Sequence, residues 1–170
     1  TSCGDDSIAD DGNGIIQSIF GNTVAWNQLV KNGNFADTSA WGVIGGTFTV
    51  ANNIGSYLAS LQYGKLRHIA NFIANHKYLQ IFNTKADSVF DIFYGINGGG
   101  INNMNYLYST TTSWQNVARI WQATETSEAV VSYILDARES DWTTVQIKDA
   151  MLIDLTQMFG AGNEPSTLDD

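Results

Sequence analysis

Positive charge, cysteine, histidine and proline are all scarce in this chain. Eight Lys and Arg stand against 17 Asp and Glu, a formal net charge of -9 over 170 residues. A nucleic-acid partner needs a basic patch to displace condensed counterions, and cations this scattered along the sequence do not promise one. An anionic membrane surface is disfavoured for the same reason. Cys3 is the single cysteine, which excludes an intrachain disulfide. Neither His68 nor His76 sits in a His-Glu-x-x-His arrangement or beside a cysteine, so a zinc site has no ligand set. There is no Gly-x-Ser-x-Gly nucleophile elbow. Gly98-Gly99-Gly100 is not followed by Lys-Ser/Thr or a helical pattern, so it reads as a loop and not a phosphate cradle. No apolar run approaches the ~18 residues that cross a bilayer, so membrane insertion is not expected. There is no Asn-x-Ser/Thr sequon.

Gly, Asn, Ser, Thr and aromatic residues are abundant, and this is the profile of an all-β domain with many short strands and polar turns. Residues 1–14 are acidic and Gly-containing and read as a disordered leader. Within it, Thr1-Ser2-Cys3 is open to two readings: the tail of a lipoprotein processing site, or an incidental cysteine. Ile15 to Phe20 and Val24 to Asn27 flank Gly21-Asn22 and predict a hairpin. Further strands are expected over 43–50, 56–62, 77–84, 89–96, 104–109, 114–124, 129–137 and 142–153. His68 to Ala74 reads as a strand, with a short helical turn as the alternative. Strands at this spacing predict an antiparallel β-sandwich of jelly-roll type, with about eight to ten strands, over residues 15–155. In the remainder, 156–170, Asp154 and Gly160 bracket one helical turn as N-cap and C′. The run from Gly162 reads as a turn that starts another helix and leads on into a longer protein.

Two stretches carry a resemblance. Asn27-Gln28-Leu29-Val30-Lys31-Asn32-Gly33-Asn34-Phe35 followed by Trp41 resembles the opening of carbohydrate-binding modules with a galactose-binding-like jelly roll, the CenC-like group. The run from Leu155 through Phe159-Gly160-Ala161-Gly162-Asn163-Glu164-Pro165 resembles one found after such sandwiches in tail and baseplate-type proteins of phages and prophages. The hairpin from Gly21 to Val30 is similar to one in the same proteins. The resemblance implies a non-catalytic domain that binds a polysaccharide, such as a β-glucan or a bacterial surface glycan. It implies a module of a larger, possibly oligomeric protein, on a virion surface or extracellular. The competing expectation is a structural or assembly spacer of a tail or fibre protein with no ligand. A hydrolase on this fold would need paired carboxylates; Asp91, Asp136, Glu139 and Asp141 are available, but so acidic a chain offers such pairs by chance.

Sugars offer apolar C–H faces and hydroxyl rims, so a site wants aromatics beside hydrogen-bonding groups on an outward sheet face. Alternation predicts Leu79 and Ile81 inward with Tyr78, Gln80 and Phe82 outward. It predicts Phe90, Ile92 and Tyr94 inward with Asp91 and Phe93 outward, and Ala118 and Ile120 inward with Arg119 and Trp121 outward. Gln80, Phe82, Asp91, Phe93, Arg119 and Trp121 would then form one ligand face, although a β-bulge in any of these strands would reverse it. Tyr106 and Tyr108 would extend that platform or line its rim. Trp41, Trp114 and Trp142 are expected to be structural, while Trp26 fits either role. No cofactor is required. The resemblance does imply a possible structural Ca²⁺ between the Asn-Gly turn and the last strand, through Asn34 and Asp149. Ala36 and Lys148 stand where related modules carry acids, and Lys148 offers a charge in place of the ion.

Overall fold

The computed structural model describes residues 13–17, 23–98 and 101–168. The leader up to residue 12, with Cys3, the first hairpin's Gly21-Asn22 turn and Gly99-Gly100 lie outside the described residues. The elements run β1 (Asn13–Gln17), β2 (Thr23–Asn27), β3 (Gly42–Ile44), β4 (Gly46–Ala51), β5 (Ile54–Ala59), β6 (Gly64–Phe72), β7 (Lys77–Ala86), β8 (Asp91–Gly98), β9 (Ile101–Ser109), β10 (Gln115–Gln122), β11 (Ser127–Asp136), β12 (Val145–Asp154) and α1 (Leu155–Phe159). β1 and β2 pair as the expected hairpin. The other ten strands form two antiparallel five-stranded sheets, ordered β10-β7-β12-β5-β4 and β3-β6-β11-β8-β9. The expected all-β sandwich is therefore present, and a jelly roll describes it.

Two local expectations change and one holds. The stretch 43–50 is not one strand, because Gly45 takes a φ of +58° and hands β3 to the second sheet and β4 to the first. The strand expected from His68 is present, residues 68–72 belonging to β6: Leu66, His68, Ala70 and Phe72 face inward at period two. Beyond Gly162 the chain makes turns and not a second helix, up to residue 168.

α1 is capped as its sequence suggests. The Asp154 carboxylate accepts the Gln157 N–H at 2.9 Å, and Gly160 ends the helix with a φ of +86°. The tail then folds back. The Thr156 hydroxyl donates to Glu164 at 2.5 Å, and the other Glu164 oxygen accepts the Gly162 N–H at 2.9 Å. These bonds hold the Glu164 carboxyl below its ordinary range.

Aromatic rings make up much of the core. Phe35 stacks on Trp41 at 4.7 Å, and Trp41 meets Tyr133 at 5.3 Å. Tyr133 meets Phe82 at 5.3 Å, and Phe82 meets Tyr94 at 5.5 Å, so this chain of rings crosses between the sheets. A second cluster joins Phe72, Tyr78 and Trp121, with ring centroids 4.9 to 5.0 Å apart. Edge-to-face and offset pairs of this kind add ~0.5–1.5 kcal/mol each beyond the area they bury.

The opening motif has a structural explanation. Leu152 N–H donates to the Gln28 side-chain Oε1 at 2.8 Å, and Gln28 Nε2 donates to the Ala150 carbonyl at 3.0 Å. Ala150 N–H in turn donates to Gly33 O at 2.9 Å. A Cβ on Gly33 would lie 2.0 Å from Ala150 O, so glycine is required for the turn to reach β12. Asn32 ties the turn together, accepting Ala36 N–H and donating to Asp37 and Ser39. Its carbonyl receives the Trp41 indole N–H at 2.9 Å.

Candidate functional site

The face expected to carry the ligand is not assembled as one surface. Gln80 and Phe82 on β7, and Trp121 on β10, are buried between the sheets, at 1%, 0% and 5% exposure. Their strands pair in register, Tyr78 with Trp121, Gln80 with Arg119 and Phe82 with Val117, so all of these share the inner face. The alternation was read with the wrong parity, because Leu79, Ile81, Ala118 and Ile120 are apolar enough to imitate core. The larger aromatic set takes the interior, where its rings stack and the polar atoms of Tyr78 and Gln80 find partners. Tyr78 OH accepts the Ile73 N–H at 2.9 Å. The Gln80 amide donates at 3.2 Å to Ser132 O, beside a register shift in β11. Burial raises the Tyr78 hydroxyl to about 12.

Arg119 is exposed, and its guanidinium lies 3.2 Å above the centre of the Tyr106 ring. It thereby links the two edge strands, β10 of one sheet and β9 of the other. Tyr106 and Trp121 both line an edge cavity of about 390 Å³, with Asn75 and Gln122. The Trp121 indole N–H is buried without a partner. Tyr108, half-buried, faces inward on β9 as Tyr106 does, opposite Ile92. These four residues thus belong to a sandwich edge and its interior, away from Asp91 and Phe93.

Asp91 and Phe93 point outward, on the second sheet. Asp91 is exposed and accepts the Ser109 hydroxyl at 2.5 Å. Phe93 belongs to a row that the sheet register defines across all five strands: Ile44, Lys65, Leu135, Phe93, Leu107. At the spacing of β-strands this row runs ~19 Å. Ile44 and Leu107 are exposed large hydrophobics, and Phe93 is half-buried. The next row is Gly42, Arg67, Ser132 and Gly95, in which three of the four residues are small. Beyond it lie Ile69, Val130 and Asn97. By register, a low row between two taller ones would leave a shallow trough perpendicular to the strands, with Ser132 and Gly95 buried at its floor.

Arg67 is the one long side chain in the low row. A Cβ on Gly42 would lie 3.1 Å from its Cγ and 3.2 Å from its Nε, so the arginine leans over that glycine. At this end of the trough a cavity of about 520 Å³ is lined by Lys31, Ala40, Trp41, Gly42, Arg67, His68 and Ile69. His68 Nε2 accepts the Lys31 N–H at 3.3 Å. Burial lowers the His68 pKa, and the charge on Lys31 adds to the effect.

Sequence reasoning missed Lys65, Arg67 and Ile69. The signal was present in Lys65 to Phe72, where Leu66, His68, Ala70 and Phe72 alternate with a mixed set of cations, Ile and Asn. Trp114 is half-buried and not core: Lys85 and Lys148 ammonium groups lie 5.2 and 4.9 Å from its ring centre. Trp142 is half-buried and donates to Arg138 O at 3.2 Å. Trp26 lies on β2, where side chains are not described.

The turn and the last strand, between which a structural Ca²⁺ was expected, do meet. Asn34 Oδ1 accepts the Ala36 N–H, and Gly33 O accepts the Ala150 N–H. The Asp149 carboxylate accepts the Asn83 amide at 3.0 Å and lies 3.9 Å from Lys148 Nζ. Among the described residues no three His, Cys, Asp or Glu side chains gather at one point.

The likeness to solved structures is to carbohydrate-binding modules. A family 4 module superposes with a TM-score of 0.61 at 16% identity, covering 74% of this chain and 99% of the module. A family 61 module in complex with β-1,4-galactotriose gives 0.57 at 18% identity, with 75% and 99% covered. The N-terminal cellulose-binding domain of a Cellulomonas fimi β-1,4-glucanase C gives 0.52 at 14% identity, with 71% and 92% covered. At these identities the likeness establishes a shared fold. No known family and no curated protein matches the chain in sequence.

Proposed function

We propose that this chain is a non-catalytic carbohydrate-binding domain that lays a polysaccharide across the outer face of its second sheet. The observation that carries this reading is the register-defined trough. A row in which Ile44, Phe93 and Leu107 are accessible, with Lys65 within it and Leu135 buried, runs beside a low row that holds Arg67. Such a strip matches the two characters of a sugar ring, with apolar C–H faces set against side chains and hydroxyls set against Arg67, Lys65 and Asn97. The fold shared with modules solved on galactotriose and as a cellulose-binding domain supports the same class of ligand. The CenC-like subtype and an origin in a phage tail-type protein rest on the two sequence motifs. A place outside the cell or on a virion goes with that origin. Affinity for one domain should be weak, roughly micromolar to millimolar, with avidity recovered where copies are linked.

The test is affinity electrophoresis of the domain through gels that contain plant and bacterial polysaccharides, repeated with Phe93→Ala and Leu107→Asn. Removing either apolar contact should weaken binding about tenfold or more while the protein stays folded. Binding left unchanged by both substitutions would remove the trough from the account. Failure of every polysaccharide to retard the domain, together with a stable trimer by light scattering, would favour an assembly spacer.

A further inference from the structure

The cavity at the Arg67 end of the trough has an electrostatic character at odds with the rest of the chain. Acids outnumber bases 17 to 8 overall, yet among the described residues no carboxylate lines this cavity, while Lys31 and Arg67 both do. Lys65 stands two residues from Arg67 on the same outward face of β6. Among the described residues, none of these three cations makes an ion pair.

One buried donor beside the cavity lacks an acceptor. Arg67 Nε is buried without a hydrogen-bond partner. Because His68 Nε2 accepts the Lys31 N–H, the proton of the neutral ring is assigned to Nδ1, on the side of the Ile69 backbone. His68 itself is 7% exposed. A buried donor left unpaired costs free energy that a bound acceptor restores. The nearby acids are engaged or remote. The Asp37 carboxylate accepts the Ser39 N–H at 2.6 Å and the Asn32 amide at 2.9 Å. Glu128 lies opposite Asn71, beyond Ile69 along β6, and Asp91 lies on β8, past Phe93.

We propose that the glycan bound by this face is anionic, with a carboxylate or phosphate substituent held in the cavity by Lys31 and Arg67. The inference rests on the reading of the trough as a sugar-binding surface and narrows its ligand to acidic polysaccharides. An arginine fork and an ammonium beside it suit the paired oxygens of a carboxylate or phosphate better than they suit a lone hydroxyl.

The experiment is affinity electrophoresis of the whole chain against three classes of polymer: neutral β-glucan and galactan, the uronates polygalacturonate and alginate, and a phosphodiester-linked teichoic acid. At least one acidic class should bind about tenfold or more tightly than the neutral ones, and its binding should weaken as salt is raised. Preference for the uronates or for the teichoic acid would identify the anion as carboxylate or phosphate. Arg67→Gln and Lys31→Gln should each cost about tenfold in affinity for the acidic polymer. The exposed Lys31 provides a variant that does not disturb folding, and urea unfolding of both variants checks this. Salt-independent binding of neutral polymers that both variants retain would overturn the anionic assignment and leave the sugar-binding face standing. Binding of no class at all would overturn both.

Discussion

At the residue scale, burial decides what each side chain does. Trp121 stacks on Tyr78 at 5.0 Å and meets Phe72 at 4.9 Å, so its removal opens a cavity in the core. Trp121→Ala should cost about 3–5 kcal/mol of stability by urea unfolding, the range for large aromatic truncations. A normal unfolding midpoint with lost sugar binding would instead return Trp121 to the role its sequence suggests. His68 makes stability depend on pH. Its folded pKa lies below the ordinary 6.5, so the unfolded chain binds the proton more readily. The contribution is complete above pH 6.5 and is lost as pH falls from there through the folded value. The urea midpoint should therefore drop between pH 7 and pH 5, above the range where carboxylates titrate. His68→Asn should flatten that drop. An equal slope in the variant would place the titrating group elsewhere.

At the scale of elements, glycines and register shifts determine what the sequence could reveal. Strand positions were largely legible, because alternation and turn residues mark them independently of context. The orientation of β7 and β10 was not legible, since both faces of each strand carry apolar residues. What fixes β7 is the Gln80 bond to Ser132 O, a contact between residues 52 apart that no local pattern announces. β11 and β12 both shift register, between Ser132 and Ile134 and between Lys148 and Met151. Those shifts decide which side chains face outward beyond them. The split of 43–50 between two sheets turns on Gly45 alone. Trp41 is structural as expected, and the opening turn that receives it is held by Gly33, which tests it. Gly33→Ala would set a Cβ 2.0 Å from Ala150 O, so the turn would have to leave β12. The expected cost is about 2 kcal/mol or more, read as a lower urea midpoint. A midpoint within error of the parent would mean that the turn and β12 do not hold one another.

At the scale of the molecule, two sheets bury their inner faces against each other and leave two outer faces and an open edge as candidate surfaces. The sequence pointed to aromatic stacking and dispersed those residues over one imagined face. In the structure the aromatics mostly build the core, and the surface suited to a glycan is a trough of aliphatic rows beside Arg67. Cations scattered along the chain converge where its end opens. The edge cavity at Tyr106 and Trp121 is the rival location. A nitrogen-15 NMR titration of the domain with a galacturonic acid oligosaccharide, and separately with a β-1,4-glucan oligosaccharide, distinguishes the two and tolerates weak binding. The account predicts shifts concentrated at Ile44, Lys65, Arg67, Ile69, Phe93 and Leu107, with the Trp121 indole resonance unmoved. Shifts centred on the Trp121 indole and Tyr106 instead, with the outer face of the second sheet silent, would contradict it.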